Sequence, residues 1–205
     1  MTTQQKTPLE RFQETTSEHQ LTIIHDEGFH RHLHCGRPGS GDRHFNITTW
    51  PGYLCISGDM GCYVFQRVED MFEFFRNDDL GINPAYWAEK VQAGPHTAPD
   101  LITKEWLPEK FRSEIKEWFD DATEDWGEED KAEAWEEVKS EVLSEADNEY
   151  AAITAALEFR FDDKELFQDF WEVDCKKWKG HYIWCCFAVV WAIQQYDAAK
   201  QKEAA

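Results

Sequence analysis

No stretch of this chain stays apolar for long enough to cross a bilayer. The longest run, Tyr182 to Ile193 (YIWCCFAVVWAI), falls well short of the roughly 20 residues a spanning helix needs and reads as a helix buried in a core. The opening MTTQQKTPLERF lacks the apolar segment of a secretory signal. The six cysteines (Cys35, Cys55, Cys62, Cys175, Cys185, Cys186) include no C-x-x-C pair and no zinc-like spacing, so they read as reduced thiols serving as small core residues. No Ser-His-Asp, Cys-His or paired-carboxylate arrangement is recognisable from spacing, although such groups converge in space rather than in sequence. Internal repeats are also absent. Basic charge is scarce: 21 lysines and arginines face 41 acidic residues, a net charge of −20. Such a field repels phosphate and argues against direct binding to nucleic acid or to an anionic membrane. Basic protein partners, cations and a local basic pocket for a small anion remain open.

What the chain does have is aromatic mass and unevenly placed acid. Aromatics make up 15% of 205 residues, ten of them tryptophan, enough for a real core. Residues 1–100 carry 14 acidic and 8 basic side chains. Ser113 to Glu149 alone carries 16 acidic and 3 basic.

Hydrophobic periodicity orders the chain. Thr7 and Pro8 open a short helix as N-cap and first residue. Leu21 to Ile24 and Phe29 to Cys35 alternate as strands around Asp26-Glu27-Gly28, a hairpin turn. Phe45 to Thr49, Tyr53 to Ser57 and Cys62 to Gln66 follow as three more, separated by Pro51-Gly52 and by Gly58-Asp59-Met60-Gly61. From Val68 the period changes to helical, with Asp70 in the first turn. Asn83-Pro84 caps a helix expected to run to Gln92, and Gly94 to Asp100 reads as a linker. Everything after Leu101 reads as helix, including a stripe of Trp135, Val138, Val142 and Leu143 and a second of Leu166, Phe167, Phe170, Trp171, Cys175 and Trp178. The expected fold is α+β: an N-terminal antiparallel β-meander covered by helices (residues 1–95), followed by an acidic all-helical lobe (101–205) packed on it.

Two surfaces are chemically distinctive. In a strand, alternate side chains share a face, so His30, His32 and His34 point one way and His44, Asn46, Thr48 and Trp50 join them from the next strand. Four imidazoles, an amide, a hydroxyl and an indole can form a metal site or a ligand pocket, or simply a half-exposed sheet face. The H-x-H lacks a carboxylate at metal-site spacing, so no metal and no cofactor is expected. Asp59, at a turn tip, can act as a general base or cation ligand, or serve the turn by accepting backbone N–H bonds. Arg67 and Arg31 can hold an anion, or pair with Asp70 or Glu69. The glycine-rich Gly36 to Gly41 loop lacks the G-K-[ST] ending of a phosphate loop and reads as a flexible connection. The second surface is the acidic stretch. There Glu128, Glu129, Glu133, Glu136 and Glu137 can present rows of carboxylates where a partner expects phosphates, with Trp126 and Trp135 as apolar anchors. The plain alternative is a solvated helical face.

The block from His44 to Phe75 (HFNITTWPGYLCISGDMGCYVFQRVEDMFEFF), with Asp26 to His32 and Asn83 to Lys90, resembles a family of uncharacterised phage and prophage accessory proteins. The resemblance covers roughly the first 95 residues and brings no catalytic residues with it. It implies an accessory phage gene, a bacterial cytoplasm and antagonism of host defence. Two readings follow. In the first, a phage-encoded inhibitor of a bacterial defence system, of anti-CRISPR or another anti-defence type, binds a basic nucleic-acid-binding host protein through an acidic surface that mimics nucleic acid. In the second, the His/Trp/Arg sheet face binds or hydrolyses a nucleotide-like signal.

Overall fold

The computed structural model describes residues 6–95 and 100–204, and the fold is α+β. The linker expected across Gly94 to Asp100 lies largely outside the described residues. The chain divides into two compact units, residues 1–103 with 178–205, and residues 104–177. The boundary expected near residues 95–101 therefore holds for one strand of the division only: the C-terminal helix belongs with the sheet, and the acidic unit is an insertion before it.

In the first unit six strands form an antiparallel meander in strict sequence order: β1 (Gln20–Glu27), β2 (His30–Gly36), β3 (Phe45–Trp50), β4 (Tyr53–Gly58), β5 (Gly61–Gln66) and β6 (Val91–Ala93). Gly28 turns the first hairpin at φ +59, a conformation that L side chains rarely adopt. Gly58 is fixed by space as well: a Cβ there would sit 2.3 Å from the His44 carbonyl oxygen. The sixth strand was not expected. The helix opened by Asn83 stops at Ala88, and residues 91–93 pair with β5 instead of extending it.

The sheet's inner face consists of Leu33, Cys35, Phe45, Ile47, Leu54, Ile56, Tyr63 and Phe65, all essentially inaccessible. Three short helices pack with it: α1 (Pro8–Thr16), α2 (Met71–Phe75) and α3 (Pro84–Ala88). Helix α1 carries the expected Thr7 cap, and Glu10 completes it as a reciprocal capping box. Thr7 Oγ1 accepts the Glu10 amide at 3.2 Å, and the Glu10 carboxylate accepts the Thr7 amide at 2.7 Å. A one-turn helix, α4 (Asp100–Thr103), ends this part of the chain. The largest contribution to the core comes from the far end of the sequence. There the helix Gly180–Glu203 buries eleven residues between Tyr182 and Tyr196, as its apolar run implied. Among the described residues no helix is long and apolar enough to cross a membrane.

The second unit was expected to be wholly helical and is not. Its edges, β7 (Lys104–Trp106) and β10 (Lys176–Trp178), pair as a two-stranded ladder, and β8 (Arg160–Phe161) pairs with β9 (Lys164–Glu165). The hairpin turns on Asp162 and Asp163, both at positive φ (48 and 63), the pattern of a type I′ turn. Asp169 is also left-handed, at φ 62. Within the stretch Leu166 to Trp178, expected to be helical, Asp169 interrupts the helical backbone, and a 3₁₀ turn at Phe170–Glu172 and the strand Lys176–Trp178 form instead. The helices that do form are α5 (Pro108–Ala122), α6 (Glu128–Glu141) and α7 (Glu149–Glu158). With α5 to α7 assigned, the C-terminal helix becomes α8. The core of this unit repeats every helical turn: Phe111, Ile115 and Phe119 from α5 meet Ala134 and Val138 from α6, with Val142 just beyond it, and Ala152 and Ala156 from α7.

One polar cluster is built into the first unit. Arg31, on the inner side of β2 and 9% exposed, forms a bidentate pair with Asp70 at 2.8 and 3.0 Å. Its guanidinium lies 4.4 Å from the centre of the Phe72 ring, and Tyr196 donates to Asp26 beside it. Asp70 also caps α2 by accepting the Phe72 amide at 3.0 Å. Burial opposes ionisation of Asp70, but the Arg31 bonds and the Phe72 amide outweigh it and hold the carboxyl below its ordinary 3.8. A depressed carboxyl stabilises the fold above its unfolded pKa and loses that contribution as pH falls through the folded one. Asp70→Asn keeps a capping oxygen and removes the charge, so it should cost about 3 kcal/mol at neutral pH. The gap to the parent should narrow as urea unfolding is repeated down to about pH 3. An undiminished gap in acid would show that the ion pair is not what Asp70 contributes.

Candidate functional sites

The outward face of the sheet carries the predicted imidazoles in register. One row runs Thr22, His34, Asn46, Ser57 and Cys62, and the next runs His25, His32, Thr48, Cys55 and Val64. A bulge in β1 between Ile23 and His25 is what brings His25 opposite His32. His34 Nδ1 and Asn46 Oδ1 are hydrogen-bonded at 3.0 Å, and the His34 and His44 rings lie 6.1 Å apart. Trp50 stacks on Tyr53 at 5.2 Å, with His30 exposed on the neighbouring strand. The histidines thus share a face, but His34 and His44 sit at one end of β2 and β3, and His30 and Trp50 at the other. Among the described residues no three His, Cys, Asp or Glu side chains converge to hold a metal ion.

Asp59 serves the backbone: its Oδ2 accepts the Arg43 amide at 2.9 Å. Arg43 needs that support, because it stands at φ 52 and its carbonyl is held by His19 Nε2 at 3.0 Å. Arg67 is exposed, and its amide bonds to the Gly52 carbonyl. Arg31 pairs with Asp70 and is not available to a ligand.

The cysteines divide into two kinds. Cys35, Cys175, Cys185 and Cys186 are buried as expected. Cys55 and Cys62 are not core residues: they lie on the outward face as diagonal neighbours, their sulfurs 3.9 Å apart. The signal was in the alternation, since inward Leu54 and Ile56 put Cys55 outward, and inward Tyr63 and Phe65 do the same for Cys62.

In the second unit the carboxylates stand as predicted. Glu128, Glu129, Glu133 and Glu136 are exposed and Glu137 half-buried, and Glu129, Glu133 and Glu137 recur at one-turn intervals along α6. The unit holds 25 acidic against 10 basic side chains, net −15. Its cations are largely committed: Lys116 and Lys131 to Asp120, Lys139 to Glu136, Arg112 to Asp147 and Lys176 to Glu149. Glu128, Glu129, Glu133 and Glu137 have no partner among the described residues. The tryptophans differ from expectation. Trp135 packs on Phe119 at 4.9 Å and Trp126 on Phe161 at 5.6 Å, with Lys116 and Lys164 over their outer faces. Both rings are half-buried parts of the unit's own core. The exposed aromatics there are Tyr150 and Trp171, 82% and 62% accessible.

Sequence reasoning missed a cavity of about 840 Å³ in the first unit, bounded by α1, the start of α8 and the β4–β5 turn. Its residues are scattered from Thr7 to Phe187, and no local pattern marks them.

No known protein family, curated protein or solved structure matches this chain.

Thiol chemistry gives a direct check on the outward pair. Burial, reinforced by its neighbour Cys62, pushes the Cys55 thiol up to about 12; burial alone raises Cys35 equally far, and burial does the same for Cys186 against an opposing hydrogen bond with Tyr182. The thiolate is the reacting form, so iodoacetamide at mild alkaline pH should label Cys62 first, with the four buried thiols protected until the chain unfolds. Peptide mapping that finds Cys185 or Cys186 labelled as fast as Cys62 would contradict this arrangement.

Proposed function

We propose that this protein is a binding inhibitor in which the unit of residues 104–177 occupies the nucleic-acid-binding surface of a basic partner. One observation carries the reading: Glu128, Glu129 and Glu133 of α6 are exposed and unneutralised, with half-buried Glu137 continuing their row at a helical interval, on a unit whose net charge is −15. Carboxylates on a rigid helix offer a basic groove fixed, regularly spaced negative charge, as the backbone of a nucleic acid does. The exposed Tyr150 and Trp171 of the same unit add apolar contact. The phage-accessory resemblance of the His44–Phe75 block supports a host defence protein as the partner and a bacterial cytoplasm as the setting. A nucleotide-binding sheet face has less support, because its histidines and Trp50 spread over the strands without converging.

The test is nuclease-treated capture from bacterial lysate, repeated with Glu128, Glu129, Glu133, Glu136 and Glu137 changed together to Gln. Helix α6 has no side-chain cap, and Glu128 and Glu129 stand in its first turn, where they complement the helix dipole. The variant should therefore lose about 1 kcal/mol of stability while remaining folded. The captured partners should be basic nucleic-acid-binding proteins, displaced by added duplex DNA and released by salt as screening shortens from about 10 Å at 0.1 M to about 3 Å at 1 M. Binding by the variant should fall at least tenfold, mainly through slower association. Undiminished capture by the folded variant, or indifference to duplex, would sink the proposal.

A further inference from the structure

The cavity of the first unit is a site of a different kind, independent of the acidic helices. Its wall is apolar: Leu9 from α1, Met60 from the β4–β5 turn, Ile82, and Ile183, Trp184 and Phe187 from α8. The one polar atom of the Trp184 ring is already satisfied, donating to Thr15 Oγ1 at 3.2 Å, so the wall offers a ligand little but hydrocarbon. The balance of its charged lining is positive, opposite in sign to the protein as a whole. Arg11 lines the cavity, and its guanidinium has no partner among the described residues. Arg43 lines it too, its guanidinium tied among the described residues only to the exposed Asp42, with its backbone pinned by Asp59 and His19. The single carboxylate of the lining, Glu14, is answered by Lys6 at 2.7 Å. The first residues of α8, Gly180 and His181, also line it, and that helix has no side-chain cap. On a chain of net charge −20, an apolar cavity whose charged lining is two arginines and one neutralised glutamate is selective by sign.

We propose that this cavity binds a single-chain amphiphile with an anionic head, the alkyl chain against α1 and α8 and the head at Arg11 and Arg43. A volume of about 840 Å³ lies within the range of small-molecule sites, roughly 300–1,000 Å³, and the apolar wall favours an alkyl chain over a nucleotide.

The test uses dodecanoate and dodecyl phosphate, which separate a carboxylate from a phosphate head, with decanoate, dodecanol and a cyclic dinucleotide as comparisons. Calorimetry below the micellar concentration should give one site per chain. A bromine-labelled dodecanoate should quench tryptophan emission, since Trp178 and Trp184 line the cavity. Each added methylene should tighten binding about fourfold, the equivalent of about 0.8 kcal/mol per buried CH₂. Dodecanol should bind at least tenfold more weakly than the better anion, and Arg11→Gln, an exposed and unpaired position, should remove that difference. Met60→Trp, which narrows the cavity from a turn tip, should weaken every chain at least tenfold. The proposal fails if neither anion binds, if affinity is flat in chain length, if folded Met60→Trp binds like the parent, or if Arg11→Gln leaves the preference for anion over alcohol intact. It fails equally if the dinucleotide binds and dodecanoate does not displace it.

Discussion

Helix α8 is apolar on every side, and the rest of the first unit follows from the need to surround it. An amphipathic helix can lie on a surface, but one that buries eleven residues around its circumference needs walls all round. The sheet supplies one wall through Phe45, Ile47, Ile56 and Tyr63, and α1 and α2 supply others through Phe12, Phe72 and Phe75. Each large side chain fully buried in this way contributes roughly 1.5–3 kcal/mol. The chain therefore has to return to the sheet at its C-terminal end, after the whole second unit has been made. The pairing of Lys104–Trp106 with Lys176–Trp178 brings the two ends of that unit together, the condition under which an inserted segment can fold as its own body.

The Arg31 cluster has a different role. A buried ion pair seldom adds net stability over an apolar replacement, but breaking one is costly, so it acts on specificity. Here it ties β2 to the cap of α2 through Asp70, while Tyr196 and Lys200 of α8 reach the neighbouring Asp26. Three elements far apart in sequence are thus tied together at one end of the sheet. Lys200 lies about two turns beyond Ile193, the last buried aliphatic residue of α8, so the cluster also marks where the helix leaves the core.

The meander was legible because turn chemistry and alternation agreed at each hairpin: Gly28, Pro51-Gly52 and Gly58 to Gly61 each separate strands whose inward residues are unambiguous. Of the site residues, the sheet histidines and the α6 glutamates were placed on their faces by period alone. What failed was short or non-local. Val91–Ala93 is three residues long and follows a helix whose pattern ran on into it. The strands β7 and β10 make sense only as each other's partners, some seventy residues apart. The apolar content of Leu166 to Trp178 imitated a helical stripe, and left-handed Asp169 and the strand pairing of Lys176–Trp178 override it. Trp126 and Trp135 looked like surface anchors because they are flanked by acid, but a half-buried tryptophan can have charged neighbours and still serve the core. The cavity had no sequence signature, since its walls come from a helix at each end of the chain and from turns between.

The distribution of charge bears on function more than its total does. Like charges at i, i+4 on a helix destabilise it by about 0.2–0.5 kcal/mol per pair, and α6 carries Glu129, Glu133 and Glu137 in that relation. A surface shaped for solubility alone would alternate signs and avoid that cost, as α5 does where Lys116 meets Asp120. The second unit instead commits most of its cations elsewhere, leaves these glutamates without partners, and relies on a dense aromatic core of Phe111, Phe119, Phe167 and Phe170 to stay folded. The first unit carries the remaining net −5, and its apolar cavity is lined by Arg11 and Arg43. A repulsive surface held by a stable core is consistent with a partner that supplies the missing positive charge, and the separation of that surface from an apolar cavity of opposite sign allows the two sites to be tested one at a time.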